Sequence, residues 1–87
     1  MVKKKKIMAI TKETIDGTKI KNDYLSSNLK SSEYDTKTKE LIVEFKNGVK
    51  YSYSDVPMDE FTKMRMAESQ GSYFSKNISK TYTFKKL

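Results

Sequence analysis

Among its 87 residues the chain has neither cysteine nor histidine. Without cysteine there is no disulfide framework, no thiolate nucleophile and no zinc site built on sulfur. Without histidine, the commonest general acid/base and the commonest nitrogen ligand for metals are missing. Arginine is nearly absent too, with Arg65 alone among 18 basic side chains. Lysine lacks the planar fork that reads guanine edges and phosphates bidentately, so any nucleic-acid binding is expected to be weakly specific and salt-sensitive. No apolar run approaches a membrane span. The opening Met1–Ile10 is basic, but Ile7–Ile10 is too short for a signal-peptide core and Thr11-Lys12-Glu13 ends it. The expectation is one soluble cytoplasmic domain with no membrane, metal or cofactor partner. Richness in Lys, Asn, Ile and Tyr points to an AT-rich genome, bacterial or phage; a phage protein would belong in the virion.

The net charge of +7 is unevenly spread. Residues 1–21 hold seven lysines against Glu13 and Asp16, a net of +5, whereas residues 22–87 hold a net of only +2. The chain therefore divides into a basic N-terminal arm, 1–21, and a folded domain, 22–87. Three forms stay open for the arm: a flexible tail, a hairpin about Asp16-Gly17, or a short helix ending at Gly17. Lys3, Lys4, Lys5 and Lys6 form a like-charge run that stays solvated and suits phosphates or an acidic partner. A plain solubilising leader is the competing reading.

What the chain does have is one strong strand signal, LIVEFKNGVKYSYSDV over Leu41–Val56. Leu41, Val43 and Phe45 alternate with Ile42, Glu44 and Lys46. Beyond Asn47-Gly48, Val49, Tyr51 and Tyr53 alternate with Lys50, Ser52 and Ser54. A two-residue turn would set Phe45 opposite Lys50 and put Tyr51 on the face of Glu44. A three-residue loop, Lys46-Asn47-Gly48 with Gly48 left-handed, pairs Phe45 with Val49 and puts all six large apolar residues on one face. The second register is preferred. It makes Tyr51 and Tyr53 core residues first, and base-stacking residues only where a ring edge or hydroxyl stays open.

Asn22–Asp35 reads as a single polar strand marked by Leu25, Leu29 and Tyr34, with a possible open sheet edge. Leu29 and Tyr34 have opposite parity, so a bend or bulge near Ser31-Ser32 is needed if both face the core. Asp35–Thr38 reads as the turn into Leu41. Asp55 reads as the cap of a helix over about Pro57–Ser69, with Phe61 and Met64 on its buried stripe and Met66 off it. Gly71 reads as a left-handed terminator, and Ser72 as the cap of a short helix carrying Tyr73, Phe74 and Ile78. Tyr82 and Phe84 suggest a closing strand. The fold class is α+β: an antiparallel β-meander of three to four strands with one long and one short helix packed on one face.

In this order and spacing the residues resemble the KTSC domain, named for its occurrence at the C-terminus of some lysyl-tRNA synthetases and also found as a free-standing protein. Ser26-Ser27, Leu29 and Tyr34-Asp35 match its opening, and Leu41, Val43, Phe45 and Gly48 its hairpin. Tyr51 and Tyr53 match its central Tyr-x-Tyr. Val56-Pro57, Phe61, Ala67, Ser69, Gly71, Tyr73-Phe74 and Ile78 match its helical half, and Tyr82 its close. The resemblance covers about Ser26 to Tyr82 and implies the α+β fold. It brings no catalytic residues; RNA binding has been suggested for the family because of the synthetase association.

No closely spaced carboxylate pair and no phosphate-cradling glycine loop is present, and Asp35, Asp55, Asp59 and Glu60 read as turn and cap residues. A non-enzymatic binding domain is therefore expected. One reading takes RNA or another single strand, with Tyr51 and Tyr53 stacking bases and Lys50, Lys63, Arg65, Lys76 and Lys80 lining a rim beside the Lys3–Lys6 arm. The other is a protein-interaction or structural module of a larger assembly such as a virion, with Met66 and the Asn22–Asp35 edge as contacts.

Overall fold

The computed structural model describes residues 10–25 and 29–87. Its strands are β1 (Ile10–Asp16), β2 (Lys19–Tyr24), β3 (Leu29–Asp35), β4 (Glu40–Phe45), β5 (Lys50–Tyr53) and β6 (Phe84–Lys86). Helix α1 (Met58–Arg65), helix α2 (Gln70–Tyr73) and a π-helical turn, Phe74–Ile78, lie between β5 and β6. The strands form one antiparallel sheet in the order β1-β2-β3-β4-β5-β6. The α+β class stands, but the meander has six strands where three to four were expected.

The extra strands come from the N-terminal side. Residues 10–21 join the sheet as β1 and the start of β2, with Gly17 at φ 63 in the turn, so the hairpin is the form adopted. Residues 1–9, with Lys3–Lys6, lie outside the described residues. The single strand expected over Asn22–Asp35 is two strands, both interior to the sheet, and so offers no open edge. Its periodicity was obscured at two points. Asn22 is a polar residue at a core position, buried because its amide donates to the Glu13 carboxylate at 2.7 Å. Leu25 is an apolar residue left 72% exposed.

The β4–β5 hairpin adopts the three-residue loop. The Phe45 N–H donates to the Val49 carbonyl at 2.9 Å, and Gly48 sits at φ 91. Val43 therefore faces Tyr51, and Leu41 faces Tyr53. A register shift between Leu29 and Ser31 lets Leu29 and Tyr34 both turn inward. At the β3–β4 turn, the Asp35 carboxylate accepts the Lys37 and Thr38 backbone N–H groups. The Lys37 bond is the main reason its carboxyl is held below the usual range.

One sheet face thus carries Ile20, Tyr24, Leu29, Tyr34, Leu41, Val43 and Tyr53, and these form the core with Val56, Phe61, Met64, Phe74 and Ile78. Tyr34 is fully buried, stacks on Phe61 with centroids 4.6 Å apart, and donates its hydroxyl to the Val56 carbonyl.

The helical layer is broken into shorter pieces than expected. Helix α1 ends at Arg65, not near Ser69, because Met66 caps it and Gln70 donates a side-chain N–H to the Arg65 carbonyl at 3.0 Å. Pro57 holds the N-cap position without a side-chain hydrogen bond, while Asp55 is left-handed at φ 56. Ser69, not Ser72, caps α2 by accepting the Ser72 N–H, and Gly71 is buried inside α2 instead of ending a helix. Met66 is exposed, off the buried stripe.

Two substitutions test this packing. Tyr34→Phe keeps the stack but leaves the Val56 carbonyl unpaired, and is expected to lower unfolding free energy by about 1–3 kcal/mol in urea titration. Gly48→Ala meets open space but a positive φ, and is expected to cost about 1–2 kcal/mol in the same measurement.

Candidate functional site

The helices cover one face of the sheet and leave the other open. On the open face, alternate residues of each strand project from the sheet: Lys12, Thr14 and Asp16 from β1, and Lys19, Lys21 and Asp23 from β2. Glu33, Ile42, Glu44 and Lys50 continue it across β3, β4 and β5. A cleft of about 270 Å³ lies over Lys21, Lys30, Ile42, Glu44 and Lys50. Two ion pairs form on this face: Lys19 with Glu33 at 3.4 Å, and Lys30 with Glu44 at 3.8 Å. This face carries both signs of charge and no aromatic ring.

The cations expected to share one rim are separated. Lys50 is exposed on the open face, whereas Lys63 and Arg65 belong to α1 on the opposite layer. Arg65 is also committed. Its guanidinium pairs with Glu13 of β1 and lies 5.4 Å from the centroid of the Phe61 ring. With Lys3–Lys6 outside the described residues, the net charge of the remainder falls to +3.

The two tyrosines differ. Tyr53 is a core residue, 4% exposed. Tyr51 is only half-buried, between Phe45 at 5.9 Å and Phe84 at 5.6 Å, each ring meeting it edge to face. Phe84 also meets Tyr53 at 5.6 Å yet remains 53% exposed. Lys86 lies opposite Tyr51 in the β5–β6 register, and the Leu87 N–H donates to the Lys50 carbonyl. The β4–β5 loop therefore stands beside the end of β6. Lys86 shares the face of Tyr51 and Phe84, and Lys46 lies in the adjoining loop, whereas Lys50 and Lys85 project on the open face, Lys50 opposite Glu44.

Phe84, Lys46, Lys85 and Lys86 were not singled out from sequence as contact residues. The signal was present in Phe84-Lys85-Lys86, an aromatic followed by two lysines. It acquires meaning only because β6 pairs with β5 and not elsewhere. Among the described residues no group of three or more acidic side chains could hold a metal ion, and no helix is long and apolar enough to cross a membrane.

The KTSC domain family profile matches residues 25–82. That range holds β3, β4, β5 and the helical layer; β1, β2 and β6 fall outside it. The crystal structure of a KTSC domain protein from Yersinia pestis superposes with a TM-score of 0.73 at 26% identity, covering 79% of this chain and 97% of that one. No curated protein matches the chain.

The phenols of the core set the pH response. Burial pushes Tyr24 up to about 12, against a partial offset from its hydrogen bond with Ser32. Burial also raises Tyr34, Tyr53, Tyr73 and Tyr82. An unfolded tyrosine titrates near 10, so the folded chain holds these protons more tightly than the unfolded chain. Their stabilisation is complete below about pH 10 and is lost as pH rises toward 12. The urea midpoint followed by circular dichroism is expected to stay level from about pH 8 to 9.5 and then fall, with phenolate absorbance rising in step with unfolding.

Proposed function

The chain belongs to the KTSC domain family, and from that premise we propose that it is a small non-enzymatic domain that binds single-stranded RNA weakly and with little sequence preference at the Tyr51–Phe84 corner. The observation that carries this reading is the exposed Phe84 ring beside half-open Tyr51, with Lys86 on the same face and Lys46 in the adjoining loop. An accessible ring offers a stacking face to any base, and lysines neutralise phosphates without selecting sequence. A duplex keeps its bases stacked internally and cannot use the ring, so single strands are favoured. The open sheet face supports the reading less well, because it has no ring and its lysines face carboxylates. Lys63 and Arg65 play no direct part in it. Tyr53 contributes by holding Phe84 in place, not by stacking a base. The protein would work in the cytoplasm.

Interaction with another protein is the second reading, favoured by the outer edge of β1. Anisotropy of a labelled 12-nucleotide oligouridylate separates the two. If about three phosphates are neutralised, the Kd is expected to rise roughly 30-fold between about 30 and 150 mM salt. Phe84→Ala is expected to weaken binding by about 1–3 kcal/mol, or roughly 5- to 150-fold, with the fold unchanged. Deleting residues 1–9 measures what Lys3–Lys6 add. Absence of binding at the lower salt, or an unaffected Phe84→Ala variant, rejects the corner.

A further inference from the structure

Among the described residues the sheet has two borders, and they are unlike. Strand β6 is three residues long and carries Lys85 and Lys86, which blunts it against further pairing. Strand β1 is seven residues long, and its Ile15 is 66% exposed. The pairing with β2 decides what this border offers. Asp16 and Lys19 flank a two-residue loop, so they exchange both backbone hydrogen bonds across the hairpin. The backbone groups of Thr14 then also point toward β2, and those of Glu13 and Ile15 point outward. Side chains alternate independently. Glu13 and Ile15 lie on the helix-covered face, where Glu13 reaches Arg65, and Lys12, Thr14 and Asp16 lie on the open face.

We propose that a second copy of this chain adds to the outer edge of β1, antiparallel, about a two-fold axis at Thr14. In this register Glu13 and Ile15 of one copy exchange backbone bonds with Ile15 and Glu13 of the other. Thr14 faces Thr14 as a close, non-hydrogen-bonded pair. Lys12 then stands opposite Asp16 of the second copy, twice by symmetry. Within one chain Lys12 already pairs across from Asp23, and Asp16 across from Lys19. The open face therefore reads Lys19, Asp16, then Lys12 and Asp23 of the second copy, alternating in sign across the junction. On the other face, Ile15 is covered by the stem of Glu13 of the second copy, whose carboxylate is turned to Arg65. Other symmetric registers are poorer. An axis at Glu13 sets like charges opposite each other, and an axis at Ile15 moves Lys12 past the strand end, opposite Thr18. Charge complementarity thus selects both the occupant and the register.

The chain has no cysteine, so single-cysteine variants of the full chain report directly. Under mild oxidation Thr14→Cys is expected to form a disulfide-linked dimer at least tenfold faster than Ser75→Cys, an exposed control. A mixture of Lys12→Cys and Asp16→Cys is expected to give mixed dimers well above the statistical half. In sedimentation, Ile15→Lys, at the border itself, should lower the dimer fraction severalfold. Equal cross-linking of Thr14→Cys and the control overturns the dimer. Statistical mixing of the Lys12→Cys and Asp16→Cys variants overturns the register.

Discussion

The left-handed glycine between β4 and β5 governs everything that follows in this fold. With Gly48 at φ 91 the loop takes three residues, and Leu41 and Val43 meet Tyr53 and Tyr51 on one face. A loop one residue shorter would send both tyrosines to the face of Glu44. Helix α1 would then have no apolar floor for Phe61 and Met64. The same parity opens the corner, because β6 pairs with β5 and its Phe84 falls on the tyrosine face, at a border that no further strand covers among the described residues.

A second tie joins parts of the chain that lie far apart in sequence. Glu13 of β1 accepts from Asn22 of β2 and pairs with Arg65 at the end of α1. Gln70 in turn donates to the Arg65 carbonyl, securing the start of α2. The N-terminal hairpin, which lies outside the residues matched to the family, is thus fastened to the family's helical layer by a polar contact. Of these groups only Asn22 is buried, and its amide needs a partner there, whereas Glu13 and Arg65 stay partly open to solvent. The contact engages the chain's one arginine.

Charge placement separates two kinds of surface. Across the open face of the sheet, lysines and carboxylates alternate and two close pairs form. At the β5–β6 border Lys86 shares a face with Tyr51 and Phe84, and those rings come without full cover. The total charge of the chain gives no hint of this division, because it arises from which strands are neighbours.

Local sequence by itself determined the β4–β5 hairpin and its register, the inward turn of Leu29 and Tyr34 through a bulge, and the burial of Phe61 and Met64 with Met66 outside. It also carried the family, through small motifs in a fixed order. These are local properties: period-two and helical spacings, and a glycine where φ must be positive. Tertiary structure alone decided that residues 10–24 form two strands, since Asn22 is buried only because Glu13 is there to meet it. It likewise decided that Arg65 pairs with Glu13, that Gly71 sits within a helix, and that Phe84 is part of a candidate site. Each of those depends on a partner distant in sequence, and no pattern within a single stretch records the identity of such a partner.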